Sequence, residues 1–278
     1  MNRNKISKNT RFANLTPKPL NSQTPKLYFI GAGPGDPELL TLKALKIIKK
    51  ADIIIYAGSL VNKDILEFAK KPAVMYDSSA MTLEEVTGVY KKEKGSGKII
   101  ARLHTGDPSL YGAIQEQMDR CEKEEIDYEV IPGVSSYQAA AASLKQEFTL
   151  PGVSQTVILT RLSGRTKVPS KETLEKLAEI RATLVIFLSV QDIDSVVRKL
   201  KCGYARDTPV VVIEKVSWPD ERRIDATLAD IAKKVKAAGI KRQALIIVGE
   251  VLRKKGYQQS RLYANDFSHG FRRVRNVK

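Results

Sequence analysis

Twice in the first 110 residues an apolar run ends in a glycine-containing loop that closes on Gly-Asp-Pro. Leu27 to Ile30 leads into Gly31-Ala32-Gly33-Pro34-Gly35-Asp36-Pro37, and Lys98 to Leu103 leads into His104-Thr105-Gly106-Asp107-Pro108. In each loop the aspartate reads as a helix N-cap and the proline as the first helical residue, where a missing N–H costs nothing and the fixed φ suits the helix. A third apolar run, Tyr128 to Ile131, leads into Pro132-Gly133-Val134-Ser135-Ser136, with Ser135 placed to cap an alanine-rich helix from Tyr137 to Leu144. Repetition of strand, tight loop and helix builds a parallel α/β sheet, whose loops gather at the carboxyl edge of the strands, where ligands bind. The three loops are therefore read as one site.

The alternation continues along the chain. Further strands are expected near Asp52–Tyr56 and Ala73–Tyr76, with helices near Glu38–Lys50, Leu83–Lys94, Ser109–Glu124 and Ser135–Lys145. Phe148-Thr149-Leu150-Pro151-Gly152 interrupts the pattern, and a domain boundary is placed there. Beyond it, strands are expected near Gln155–Thr160, Leu184–Leu188, Pro209–Lys215, Arg222–Ala226 and Ala244–Val248, and helices near Lys171–Ile180, Ile193–Lys201 and Leu228–Ala238. Two strands with no helix between them flank Trp218-Pro219-Asp220, which predicts a hairpin and a mixed sheet. The expected fold is two α/β domains: residues 26–150 with a mostly parallel sheet, and residues 151–252 with a mixed one.

Several function classes are excluded on the residues. The first loop is not a dinucleotide fingerprint, because the third glycine of G-x-G-x-x-G comes one residue early, and no Gly-Lys-Ser/Thr makes it a phosphate loop. Asp52 imitates a ribose-binding acid in spacing but precedes its strand, so it lies at the wrong edge of the sheet. No apolar run approaches the roughly 20 residues that cross a bilayer, and no signal-peptide core is present. With Cys121 and Cys202 far apart and only two histidines in 278 residues, neither a disulfide framework nor a protein-bound metal is expected. Of the net charge of +16, residues 1–26 carry +6 and residues 253–278 carry +7, leaving +3 for the rest. The basicity belongs to the tails, 1–25 and 253–278, read as solvated extensions; nucleic-acid or membrane-surface contact, or an organellar presequence at the N-terminus, are the other readings of them.

The ordered set GAGPGDPELLTLKAL, HTGDPSLYGAIQEQM, PGVSSYQAAAA, QTVILTRLSGRTKVP, TPVVVIEKVSWPDE and QALIIVGEVL, running from about Lys26 to Leu252, resembles the tetrapyrrole methylases, enzymes of corrin and sirohaem synthesis that use S-adenosylmethionine. Within that family, His104-Thr105 before Gly-Asp-Pro, Tyr111-Gly112, and the Leu-Thr-Arg, Gly-Arg-Thr and Trp-Pro-Asp-Glu segments are most similar to the branch that methylates C11 of cobalt-precorrin-4 or precorrin-4. The resemblance implies a cytoplasmic homodimer of the two-domain tetrapyrrole methylase fold, with S-adenosylmethionine in the cleft between the domains. Carried onto this chain, the cofactor contacts would be Pro34; Thr105, Gly106, Asp107 and Leu110; Ser135 and Ser136; and Leu188, Val216 and Ala244 from the second domain. Asp107 as a plain helix cap, and Leu188 and Ala244 as plain core residues, are the alternative readings.

The anionic tetrapyrrole would meet backbone N–H groups of the first loop at Gly33 and Gly35, and the cations Arg102, Arg161, Arg165 and Lys215, since a guanidinium forks onto a carboxylate. Arg102 pairing with an acid on its own sheet is the alternative. Methyl transfer from a sulfonium to an electron-rich ring carbon needs positioning above all, so no general base is assigned; His104 and Tyr111 are the candidates to orient substrate or pass a proton. The competing functions are another tetrapyrrole methylase, acting on uroporphyrinogen III or a different precorrin, the diphthamide-pathway methylase of similar fold, or a nucleic-acid-binding protein acting through its basic tails.

Overall fold

The computed structural model of the chain describes residues 27–164, 166–260, 264 and 266–273. The first sheet contains β1 (Leu27–Gly31), β2 (Ile53–Tyr56), β3 (Val74–Asp77), β4 (Ile100–His104) and β5 (Tyr128–Ile131), in the order β3-β2-β4-β1-β5 and all parallel. Strands buried on both faces read as nearly continuous apolar runs, and both faces here are covered. Tyr28, Ile30, Ile54, Ala101 and Leu103 pack against Ala44 and Ile48 of α1 (Leu42–Ile48). Leu27, Phe29, Ile53, Ile55 and Ile100 pack under Val86 and Tyr90 of α2 (Leu83–Lys92) and Cys121 of α3 (Gln115–Lys123). The strands that lead into the three glycine loops, β4, β1 and β5, are neighbours in this sheet.

The second sheet contains β6 (Val157–Arg161), β7 (Thr183–Phe187), β8 (Pro209–Glu214), β9 (Arg222–Thr227) and β10 (Ala244–Val248), ordered β6-β7-β10-β8-β9. Only β6 and β7 are parallel; β10 runs against both β7 and β8, and the β8–β9 hairpin brackets Trp218 as the sequence predicts. Side-chain alternation sends Leu184, Ile186, Val210, Val212, Ile246 and Val248 to one face, under α5 (Leu174–Glu179), α6 (Ile193–Leu200) and α7 (Ile231–Ala237). The other face, with Val185, Val211, Ile213, Leu245 and Ile247, packs on Ala139, Ala140 and Leu144 of α4 (Ser136–Leu144) and on Phe148 and Leu150. The helix that follows the third glycine loop is thus part of the core beneath the second sheet, and it fixes the first sheet's loops against that sheet.

Two expected helices start late, for local reasons. After Asp36-Pro37 the chain makes one 3-10 turn (Pro37–Leu39), becomes extended at Leu40 and Thr41, and begins α1 only where Thr41 Oγ1 accepts from the Ala44 N–H. After Asp107-Pro108 the residues Tyr111 and Ala113 have φ of 57° and 48°. Left-handed residues cannot continue a right-handed helix, so α3 starts at Gln115 rather than Ser109. Within the C-terminal segment, Gln258 donates its N–H to the Pro151 oxygen and Lys254 Nζ donates to the Leu144 oxygen, while Tyr257 and Phe271 stay exposed. Among the described residues no helix is long and apolar enough to cross a membrane.

Candidate active site

The carboxyl edge of the first sheet is closed by contacts between glycines. Gly33 and Gly106 exchange backbone hydrogen bonds (3.3 and 2.7 Å), which zips the first loop to the second. Gly31 lies so close to Gly133 that a Cβ at position 31 would sit 2.5 Å from the Gly133 Cα, a separation only glycine permits. Asp107 completes the junction: Oδ1 accepts from the Ser109 N–H (2.9 Å) and Oδ2 from the Gly133 N–H (2.8 Å). Burial pushes its pKa up, but the hydrogen bonds from Ser109 and Gly133 outweigh it and hold the carboxyl below its ordinary range. Ser135 is buried and begins α4, its N–H donating to Gln138 Oε1 (2.8 Å), and Ser135 and Ser136 face Gly106. Thr105 is exposed, Leu110 half-buried and Pro34 buried beside these residues.

The second sheet contributes the edge formed by the ends of β6, β7 and β8 and the start of β10. Register pairs Ile186 with Ile246 and Glu214 with Ala244, so Leu188, Ala244 and the turn after Glu214 lie side by side. Backbone conformation marks this edge. Ten non-glycine residues among those described have positive φ. Four of them, Glu125, Lys145, Arg181 and Lys254, end helices, an ordinary place for the left-handed region. The other six are Tyr111 and Ala113 in the second loop, and Leu188, Lys215, Ser217 and Gln243 at this edge. Such residues each cost on the order of 1 kcal/mol or more and collect at binding sites. Leu188 is in addition 76% exposed, whereas Val216, between two left-handed residues, and Ala244 are buried.

The two edges meet. The Tyr111 ring lies 5.3 Å from that of Phe187 across the seam. Trp218 Nε1 donates to the Pro34 oxygen (2.9 Å), the Asp36 N–H donates to Ser217 Oγ (3.0 Å), and Gln243 Nε2 donates to the Ser59 oxygen (2.5 Å). Phe187, Ser217, Trp218 and Gln243 were not singled out as site residues from sequence. A lone phenylalanine, serine or glutamine at a strand end has no signature, and the tryptophan registered as part of a hairpin turn and of a family segment, with no role at the site.

The expected cations differ in their surroundings. Arg102 is buried, its Nη1 donating to Ser78 Oγ (2.8 Å) and its Nε to Gln117 Oε1 (3.4 Å), with no acid beside it; burial lowers its pKa. The alternative of an acid partner on the same sheet does not hold. Lys215 is paired with Asp220 and lies 5.7 Å from the centre of the Trp218 ring. Arg161 is held by backbone oxygens alone, Thr166 at 2.9 Å and Leu162 at 3.4 Å, next to Tyr111. Arg165 lies outside the described residues. The Gly33 N–H is spent on Gly106, while the Gly35 N–H has no hydrogen-bond partner among the described residues.

His104 does not titrate near neutrality as a free histidine would. Burial first, then the neighbouring Arg102 charge, push its pKa down to about 3, and its Nε2 has no hydrogen-bond partner. It is therefore neutral at pH 7, with one of its two ring nitrogens protonated. Burial raises the pKa of Tyr111, which is 44% exposed. Among the described residues no three His, Cys, Asp or Glu side chains are placed to hold a metal ion.

Comparison with known proteins agrees with this geometry. Residues 26–232 match the family model of tetrapyrrole (corrin/porphyrin) methylases. The chain is 56% identical over 249 residues to the cobalt-precorrin-4 C(11)-methyltransferase of Methanocaldococcus jannaschii, covering 89% of this chain and 96% of that protein. It is 46% identical to the precorrin-4 C(11)-methyltransferase of Pseudomonas aeruginosa, covering 88% and 98%. Among solved structures, a cobalt precorrin-4 methyltransferase of cobalamin biosynthesis superimposes with a TM-score of 0.79 at 44% identity, over 81% of this chain and 95% of the other. A uroporphyrin-III C-methyltransferase from Thermus thermophilus complexed with S-adenyl homocysteine does so at 0.70 and 28%, over 84% and 96%. With the parallel and mixed sheets, the glycine-zipped loops and a family match spanning most of its length, the chain belongs to the tetrapyrrole methylases.

Proposed function

We propose that this chain transfers a methyl group from S-adenosylmethionine to C11 of cobalt-precorrin-4 or precorrin-4, a C-methylation of corrin synthesis. The observation that carries the reading is the crowding of six left-handed, non-glycine residues where the glycine loops meet the second sheet. A solvent-exposed leucine held in a costly conformation at that edge offers the apolar surface that an adenine would cover, with buried Val216 and Ala244 beside it. Pro34, Thr105, Gly106, Leu110, Ser135 and Ser136 supply small side chains and backbone groups that let a ribose and an amino-acid tail approach closely. These residue types fit the cofactor.

S-adenosylmethionine, when bound, supplies a methyl group already activated on a sulfonium. The protein's task is then orientation and exclusion of water. Both oxygens of Asp107 are engaged by the protein, so it contributes a fixed negative charge and the shape of the junction. Arg161, whose hydrogen-bond partners are neutral carbonyls, is in no ion pair among the described residues and lies beside Tyr111, with Glu172 also near that ring, so its guanidinium is open to a carboxylate of the acceptor. Gly35 and Arg165 belong to the same acceptor surface in this reading; Lys215, neutralised by Asp220, has a secondary part, Gly33 ties the first loop to the second, and Arg102 is engaged by Ser78 and Gln117. Tyr111 orients the acceptor between the two halves. The chain works as a cytoplasmic homodimer, with residues 26–150 and 151–252 as its two domains, the tails outside the cleft, and no metal of its own.

The test is product analysis. Purified protein with methyl-labelled S-adenosylmethionine and either acceptor should yield one labelled methyl at C11, located by NMR, with one S-adenosylhomocysteine released per turnover. Methylation of uroporphyrinogen III instead would move the assignment to another branch of the family.

A further inference from the structure

The feature that the mechanism leaves unused is the half-buried Trp218, the only tryptophan of the chain. Its indole is held on three sides. Nε1 donates to the Pro34 oxygen at 2.9 Å. The Lys215 ammonium, anchored by Asp220, lies 5.7 Å from the ring centre, within cation–π range. The ring edge fills the space beside Gly35 so fully that a Cβ there would fall 2.1 Å from Cδ1 and 2.3 Å from Nε1. Ser217, one residue earlier, accepts from the Asp36 N–H at 3.0 Å, and the buried Asn62 Nδ2 donates to the Gly35 oxygen at 2.9 Å. The first glycine loop is therefore gripped both by Asn62 of its own half and by the Ser217–Trp218 turn of the other.

The turn that grips the loop is itself distorted. Lys215 and Ser217 have φ of 50° and 66°, with the buried Val216 between them. One turn thus places Val216 at the cofactor side and Trp218 on the acceptor-facing loop. The cost of two left-handed residues is met by fixing both positions at once. Glycine at 35 follows from the same packing, since no side chain fits between the loop and the indole.

We propose that Trp218 is a positioning residue, a latch that fixes the Gly33–Asp36 loop against the second half and so sets the place of the acceptor relative to the cofactor. The proposal rests on the methyl-transfer reading above. It concerns how the acceptor is held and not which acceptor it is. Displacing the loop by a fraction of an ångström should reduce productive orientation without emptying the cofactor pocket.

Trp218→Phe keeps an aromatic ring and removes the Nε1–H; Ser217→Ala removes the second bond. In hydrogen exchange on the protein alone, the Asp36 amide, bonded to Ser217 in the same turn, should exchange about tenfold faster or more in Trp218→Phe than in wild type, while amides of β4 and β8 do not change. In turnover, Trp218→Phe should lower kcat/KM for the tetrapyrrole by about tenfold or more, with S-adenosylhomocysteine affinity within about threefold and the melting temperature nearly kept. Ser217→Ala should show the same pattern, weaker. Gly35→Ala should be as damaging as Trp218→Phe in wild type but add nothing in a Trp218→Ala background, because the overlap is gone. Unchanged exchange at Asp36, unchanged kinetics, or equal losses of acceptor and cofactor affinity that track a drop in melting temperature would each overturn the latch. Wild-type protein that methylates no tetrapyrrole would instead overturn the assigned reaction, leaving the exchange result to judge the latch.

Discussion

The two sheets of this molecule build one site by different means. The first is all parallel, so every strand points the same way and the loops after β1, β4 and β5 arrive together at the carboxyl edge, where glycine lets their backbones touch. The second is mixed, and its working edge combines ends of β6, β7 and β8 with the start of β10. There the turns are made by ordinary residues, Leu188, Lys215, Ser217 and Gln243, held at positive φ. Close packing of glycines gives the first half a rigid floor, with left-handed non-glycine residues at Tyr111 and Ala113 alone among its site loops, while the second half accepts such strain at four turn residues to present particular side chains.

The strongest test of that contrast is Gly31→Ala. Its Cβ would lie 2.5 Å from the Gly133 Cα with backbone on both sides, so the loops must separate. A loss on the order of 3 kcal/mol, the upper end for overpacking, is expected in denaturant unfolding, with much of the protein insoluble. A near-wild-type midpoint would mean that the glycine zip has slack.

Next in size is Asp107→Ala, which takes the acceptor from the Gly133 and Ser109 N–H groups. The Ser109 N–H is exposed and water can take it, whereas leaving the part-buried Gly133 N–H unpaired costs about 1–3 kcal/mol. Calorimetry should show S-adenosylhomocysteine binding at least tenfold weaker in a protein that still folds. Unchanged affinity would reduce Asp107 to a cap.

Acid separates the halves in another way. His104, at the end of β4, has its folded pKa pushed down to about 3 against an ordinary value near 6.5. The unfolded chain binds this proton first, so the stability in question is full above about pH 6.5 and declines as pH falls toward 3. The slope is at most about 1.4 kcal/mol per pH unit. Between pH 6.5 and 5, amide protection should fall in the first sheet before the second, and His104→Gln should flatten the dependence. Asp230, in the second half, is held down to about 2, chiefly by Lys234, so its contribution is present above its ordinary carboxyl range and is lost only as pH falls from about 4 through 2.

The smallest expected effect is a gain. Leu188→Gly removes a side chain that is 76% exposed and relieves φ of 52°, so stability should rise by about 1 kcal/mol. The affinity for S-adenosylhomocysteine should fall at the same time. A variant that loses stability would show Leu188 to be ordinary core.

The same contrast explains what could be read in advance. β5 and β10 have the boundaries expected, and most other strands agree within two residues, because apolar runs in a doubly covered sheet are long and continuous. Two of the glycine loops were legible because Gly-Asp-Pro is a local code for a turn and a cap, and the third because Pro-Gly followed by a capping serine is another. The late start of α3 was not, since nothing in the residue types of Tyr111 and Ala113 announces positive φ. The grip of Trp218 on Gly35 joins positions 183 residues apart and is a property of the assembled halves alone. His104 looked like a titrating group because residue identity carries no information about burial.

The central claim, that one cofactor site is made from both edges, is most directly tested by hydrogen exchange with and without S-adenosylhomocysteine. The account predicts added protection in residues 105–111 and 133–136 together with residues 186–189, 215–218 and 243–245. Protection confined to one of the two halves would contradict it.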